Sequence, residues 1–306
     1  MTKRVAVIGA GTIGASWAAI FLARGLDVTA YDPAPQGEAF ARRFIANAWP
    51  TLETLGWVEK GASQDRIAFF KTAAEAAEGA EFVQESGPER EDAKIELFAE
   101  IDGAAPPDSV IASSSSGLLI SRVSVKCRHP ERCVIGHPFN PPHLIPLVEV
   151  VAGEKTSAKA VDDAMAFYRE IGKHPIRINK EVPGHIANRL QAALWREAVY
   201  LVADGVASVA DVDAAIAYGP GLRWALMGPH LTFHLAGGEG GMTNFMNHLR
   251  PALETWLSDR DPKFTPEVQK TIIEGVGKEA AGRTIGDLQK WRDRKLIEIL
   301  KVSAAP

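Results

Sequence analysis

Cysteine is nearly absent from this chain: Cys127 and Cys133 are the two thiols in 306 residues. That excludes a disulfide-stapled scaffold. The segment CRHPERC, from Cys127 to Cys133, adds His129 to the pair, but the spacing is not that of a zinc site. Both cysteines are expected as free thiols, one of them on a strand edge, with no metal. Long apolar runs are missing too, and none reaches the ~18 residues that a membrane span needs. Charge of one sign is also lacking: 34 Lys and Arg face 38 Asp and Glu, for a net charge of −4. Neither nucleic acid nor an anionic membrane surface is an expected partner. Internal repeats and low-complexity tracts are absent, so solenoids and long disordered segments are excluded.

What is present is ordinary globular material, 46% hydrophobic and 24% charged. This suffices for a sizeable core in one large domain or two. The start, MTKRVAVIGAGTIG, has the basic-then-apolar order of a secretory leader. Gly9, Gly11 and Gly14 interrupt the apolar part, and strand and helix patterns alternate behind it. No leader is expected, and the cytoplasm is the expected location.

Short apolar runs predict strands at Arg4–Ile8, Leu26–Tyr31, Ile67–Phe70, Glu81–Gln84, Val110–Ala112, Cys133–Gly136, Leu147–Val151 and Pro175–Ile178. Helical periodicity lies between several of them, at residues 14–24, Ala73–Glu78, Glu89–Ile101 and Ala158–Ile171. A further helical stretch begins near Glu38 and is expected to break near Trp49-Pro50. Alternating strand and helix implies a mostly parallel sheet covered on both faces. After Pro183-Gly184 the pattern becomes helical throughout, with capping signals at Ser208 and Thr265-Pro266. The expectation is a Rossmann-type α/β domain over residues 1–183, followed by an all-α domain over 184–306.

The turn Gly9-Ala10-Gly11-Thr12-Ile13-Gly14 gives GxGxxG between the first strand and a helix, and Asp32 closes the second strand. Gly9 permits the tight turn, Gly11 lets a pyrophosphate approach the backbone, and Gly14 allows close helix–strand packing. The free N–H groups of the helix end suit phosphate. Asp32 accepts hydrogen bonds from ribose hydroxyls and would repel a 2′-phosphate, so NAD is the expected cofactor.

The stretch HPFNPPHLIPLVEV, His137 to Val150, puts a carboxylate, Glu149, inside an apolar strand. A buried Glu needs a partner. His137 ends the preceding strand and suits general-base work near neutral pH. A carboxylate could fix its tautomer and stabilise its imidazolium. Ser116, in the run Ser113 to Ser116, and Asn188, at the start of the long helix, could hold the substrate oxygen. Each residue also has a purely structural reading. His137 could be a hydrogen-bonded structural histidine, Glu149 an arginine partner, the serines a cap before Leu118, and Asn188 a helix cap.

Taken together, GAGTIG, Asp32, GPEREDAK, SSSSGL, GHPFNPPHLIPLVEVV and PGHIANRL resemble the 3-hydroxyacyl-CoA dehydrogenase family, in order and over nearly the whole chain. The resemblance implies His137 as catalytic base, Glu149 as its partner, and Ser116 and Asn188 on the substrate. It implies Glu89 and Lys94 near the nicotinamide and its ribose, Asn140 on the cofactor side, and a homodimer. One departure is visible: the family's Ser-Asn-Thr-Ser-Ser is here Ser113 to Ser116 followed by Gly117, which alters the pocket edge.

The second half resembles the family's small-substrate branch, which handles L-carnitine and L-gulonate, in ALWREAVYLVADG, LRWALMG, AGGEGGM and AAGRTI. A CoA ester would want clustered cations, and residues 38–70 offer only Arg42, Arg43, Lys60 and Arg66. A quaternary ammonium would want aromatic faces. Trp195, Trp224, Phe233 and Phe245 are candidates, with Arg223 for a carboxylate. The expected reaction is NAD-dependent oxidation of the 3-hydroxyl of a small L-3-hydroxy acid, carnitine first. L-gulonate and a 3-hydroxyacyl-CoA are the alternatives. The intact set Ser116, His137, Glu149 and Asn188 argues against a purely crystallin-like structural role.

Overall fold

The computed structural model describes residues 3–253, 255–256 and 265–303. By compactness the chain divides after Asn188, a little beyond the Pro183-Gly184 boundary drawn from sequence.

The first unit is built on eight strands: β1 (Arg4–Ile8), β2 (Asp27–Tyr31), β3 (Ile67–Phe69), β4 (Phe82–Glu85), β5 (Val110–Ser113), β6 (Cys133–Pro138), β7 (Leu147–Ala152) and β8 (His174–Ile178). They form one sheet in the order β3-β2-β1-β4-β5-β6-β7-β8. Neighbours are parallel except β6 and β7. The order reverses between β1 and β4, so a crevice opens beyond their carboxyl ends, where such sheets bind ligands.

The period-two alternation of β1 sorts the core. Val5 and Val7 join one apolar cluster, Ala6 and Ile8 the other. The first cluster is covered by α1 (Thr12–Ala23), α2 (Gly37–Thr54) and α6 (Ala158–Glu170). The second is covered by α3 (Ala73–Ala77), α4 (Glu91–Ala104) and α5 (Ile120–Val123). Trp17, Phe21, Phe82, Phe167 and Tyr168 form a ring cluster under α1 and α6.

One sequence expectation fails here. The helix from Glu38 does not break at Trp49-Pro50; α2 runs through Pro50 to Thr54. Proline removes one donor and crowds the preceding turn. The buried side chains of Ala48, Trp49 and Leu52 hold the helix against the core on either side of it. The Thr54 hydroxyl donates to the Pro50 carbonyl at 2.8 Å.

Helix α7 (Ala187–Ala203) begins at the end of the first unit and continues into the second. The second unit adds α8 (Val209–Ala217), α9 (Pro220–Trp224), α10 (Pro229–Ala236), α11 (Gly241–His248), α12 (Arg250–Leu253), α13 (Pro266–Ala280) and α14 (Ile285–Ser303). No strand occurs there among the described residues. Ser208 and Thr265 accept from Asp211 and Val268 N–H and so start α8 and α13. Thr284 and Asp287 cap α14 reciprocally. Among the described residues, no helix is long and apolar enough to cross a membrane.

Candidate active site

The turn from β1 into α1 has the geometry that a dinucleotide requires. Gly9 lies at φ +89°, and a Cβ there would stand 2.7 Å from the Ser86 backbone. A Cβ on Gly14 would stand 1.8 Å from the Gly9 carbonyl oxygen. Gly11 differs: a Cβ there would meet nothing within 4 Å. The fold therefore tolerates a side chain at Gly11, and its absence leaves open backbone at the N-terminus of α1, where a pyrophosphate would sit. Asp32 accepts from Ala10 N–H at 2.7 Å and Ala34 N–H at 2.8 Å, which fixes the carboxylate at the end of β2. Ala10, Thr12 and Ile13 complete this turn. The chain therefore fits NAD at the place expected.

From the last residue of β5 onward, each of the four serine hydroxyls has its own partners. Ser113 donates to Glu85 at 2.6 Å. Ser114 receives Trp17 Nε1–H and the Gln84 amide, and bonds Ser86. Ser115 donates to Glu89 at 2.6 Å and accepts from Leu118 N–H. Ser116 Oγ lies 3.1 Å from His137 Nε2. Glu89 also accepts Ser116 and Gly117 N–H, each at 3.0 Å, so its carboxylate is the hub of the turn.

His137 and Glu149 face each other as register partners across the antiparallel β6–β7 pair. Opposite residues share a sheet face and lie within side-chain reach. Nδ1 and Oε2 are 2.8 Å apart, and both residues are buried. Oε1 accepts Ile186 and Ala187 N–H, both at 2.9 Å. Burial pushes the Glu149 carboxyl up, but the His137 ring and the two backbone donors outweigh it and hold the group below its ordinary range. A carboxylate cannot donate, so Nδ1 carries the proton and Nε2 of the neutral ring is a free base. The apolar strand thus tolerates Glu149 because every charge-bearing oxygen is satisfied.

Other expected residues fall differently. Lys94, anticipated at the nicotinamide ribose, is buried and ion-paired with Glu85, its Nζ lying 2.6 and 2.9 Å from the two carboxylate oxygens. It also donates to the Gly87 carbonyl and stands 4.0 Å from Glu89. Its charge is thus engaged inside the fold. Asn140 is exposed just past β6. Asn188 is the second residue of α7, half-buried, and makes no hydrogen bond to Ser116 or His137. In the second unit Phe233 stacks on Phe245 with ring centroids 4.7 Å apart. Trp195 lines an apolar groove with Val199, Val209, Val212, Ile272 and Val276. Arg223 and Trp224 are exposed on α9.

Two site residues escaped the sequence. Glu85 is fully buried, and besides Lys94 and Ser113 it accepts Gly87 N–H at 2.6 Å. The signal was available, because a carboxylate at the end of Phe82-Val83-Gln84-Glu85 is the same anomaly as Glu149. The other is His185. It lies at φ +50°, its Nε2 is 3.0 Å from the Ser115 carbonyl, and its ring is centred 5.0 Å from that of His137.

Residues 4–182 match the model of the 3-hydroxyacyl-CoA dehydrogenase NAD binding domain, and residues 184–284 that of the C-terminal domain. An L-carnitine dehydrogenase from Streptomyces coelicolor is 52% identical over 98% of this chain and 95% of the relative. Another, from Pseudomonas putida, is 48% identical over 98% and 93%. Among solved structures, a 5-formyl-3-hydroxy-2-methylpyridine 4-carboxylic acid 5-dehydrogenase, an NAD+-dependent dismutase, is 33% identical. It aligns with a TM-score of 0.86 over 100% of this chain and 99% of the other.

Proposed function

From the premise that this chain belongs to the 3-hydroxyacyl-CoA dehydrogenase family, we propose that this NAD-dependent oxidoreductase oxidises the 3-hydroxyl of L-carnitine to 3-dehydrocarnitine. The observation that carries the substrate is the 52% identity, over nearly the full length of both chains, to an L-carnitine dehydrogenase.

Gly9 to Gly14 and Asp32 would hold NAD at the β1–α1 turn, and the bound cofactor would supply the acceptor for the hydride that leaves C3. The remaining chemistry is the protein's. His137 Nε2 takes the hydroxyl proton as the C3–H bond breaks. Glu149, already bonded to Nδ1, stabilises the imidazolium that results. The Ser116 hydroxyl holds the substrate oxygen as it passes from alcohol to carbonyl, and Asn188 is its second uncharged donor. Such oriented donors are worth roughly 3 kcal/mol at a transition state. Arg223 is assigned to the substrate carboxylate. Trp224, with Trp195 and Phe233, is assigned to the quaternary ammonium, where each aromatic face is worth ~0.5–2 kcal/mol. The working form is a cytoplasmic homodimer, supported by the apolar side chains that the second unit leaves exposed, Leu222, Leu226, Leu231 and Leu235 among them.

The test is a panel of L-carnitine, L-gulonate and 3-hydroxybutyryl-CoA with NAD, followed by the absorbance of the reduced cofactor. L-carnitine is expected to give the highest kcat/KM. Turnover of the CoA ester alone would overturn the assignment.

A further inference from the structure

His185 carries two burdens that contribute nothing to stability. It holds a left-handed backbone conformation, φ +50°, which favours glycine. Its Nδ1 is also the one buried side-chain nitrogen or oxygen without a hydrogen-bond partner among the described residues. The Ser115 carbonyl can only accept, so Nε2 bears the ring proton and Nδ1 is a bare acceptor. Strain and an unsatisfied buried atom on one residue are the marks of a position kept for function.

What these costs secure is visible in the bonds on either side. The ring pins the Ser115 carbonyl, while the N–H of the same peptide unit, that of Ser116, is held by Glu89. The Ser115–Ser116 peptide is thus fixed at both ends, which sets where the Ser116 hydroxyl meets His137 Nε2. The left-handed backbone of His185 turns the next two N–H groups, of Ile186 and Ala187, onto Glu149 Oε1. Glu149 is the partner of His137 Nδ1. We propose that His185 is a positioning residue that sets both hydrogen-bond partners of His137, Ser116 through its side chain and Glu149 through its backbone. Burial holds the ring below its ordinary pKa, against the opposing pull of the Ser115 carbonyl, Glu149 and Glu89. A neutral ring adds no positive charge beside the imidazolium that His137 becomes.

The two contributions separate by mutation. H185G keeps the left-handed turn and loses the side-chain donor. H185N also tolerates that turn, but its amide stops short of Ser115. H185Q carries an amide N–H as far from Cβ as Nε2. With L-carnitine and NAD, H185G and H185N are expected to lose at least tenfold in kcat with KM for NAD within twofold. H185Q is expected to return kcat to within threefold of the parent. The kinetic arm rests on the proposed activity. A second arm does not: ¹⁵N NMR of the His137 ring is expected to show an altered Nε2 environment in H185G and H185N, restored in H185Q. Thermal melts identify any variant that fails to fold, and the remaining short variant then carries the comparison with H185Q. If the short variants and H185Q agree with one another in kcat and in the His137 ring shifts, the positioning role is wrong. If the parent turns over none of the hydroxy acids, the substrate assignment fails, while the NMR comparison still decides the role of His185.

Discussion

At the residue scale, the dyad His137–Glu149 makes the sharpest predictions. Replacing His137 with Gln removes the proposed base and is expected to lower kcat for L-carnitine by roughly 10²–10⁴, the usual worth of a positioned base. NAD affinity, read by fluorescence quenching, should stay within about twofold, by comparison with the tenfold that 1.4 kcal/mol produces. Glu149→Gln should cost about 10² in kcat, because the imidazolium loses its counter-charge. It should also alter acid stability. The folded carboxyl titrates below its ordinary value, so its contribution is present above about pH 4.3 and lost as pH falls through the folded value. The parent should lose this contribution in acid urea melts, and E149Q should not. This dyad was legible in the sequence because a Glu inside an apolar strand demands a partner. The ion pair of Lys94 with Glu85 was not legible, because a carboxylate at a strand end was not weighed as a partner for a lysine on the following helix. His185 was illegible, because neither its backbone angle nor its orphaned nitrogen leaves a trace in spacing.

At the element scale, the β1–α1 turn separates folding from binding within one motif. Gly14→Ala would force a Cβ to within 1.8 Å of the Gly9 oxygen. It should destabilise the protein by about 3 kcal/mol in urea titrations, in the range of overpacked sites. Gly11→Ala meets nothing within 4 Å. Its melting temperature should match the parent's while KM for NAD rises on the order of tenfold, since the added methyl stands where a pyrophosphate must approach. A second element-scale device holds the segment behind Asn140. Lys173, just before β8, donates to the Pro142 and Ile145 carbonyls and lies under the Trp17 ring, 5.4 Å from its centroid. Burial, aided by Arg24, lowers its pKa to about 7. The unfolded chain therefore binds this proton more readily, and stability from this group rises from about pH 7 towards the free-lysine value near 10.4. Between pH 7 and 9 the parent should gain on the order of 2 kcal/mol that K173M does not, in paired urea melts. The strands were legible to within a residue or two because apolar runs mark them. The passage of α2 through Pro50 was not, because tertiary packing of Trp49 and Leu52 overrode the local penalty.

At the scale of the whole molecule, the α/β and helical halves were readable from where strands cease. The substrate branch was readable by resemblance of the helical half, but which side chains meet the substrate was not. Aromatic spacing does not distinguish a stacked pair such as Phe233 and Phe245 from a cation's cage. For the proposed homodimer, light scattering should return twice the 33.0 kDa chain mass. Leu222→Asp with Leu226→Asp, both well exposed, should shift it to the single-chain mass at low micromolar concentration without altering the far-UV spectrum. His137 and Glu149 sit opposite each other because β6 and β7 pair antiparallel, in a ladder that runs from Val134 to Pro138 on one strand. A one-residue slip in either strand would turn one partner to the opposite face. The hairpin stem therefore acts as a phase lock: the strand period of two keeps the pair on one face, and any odd shift between the strands separates it.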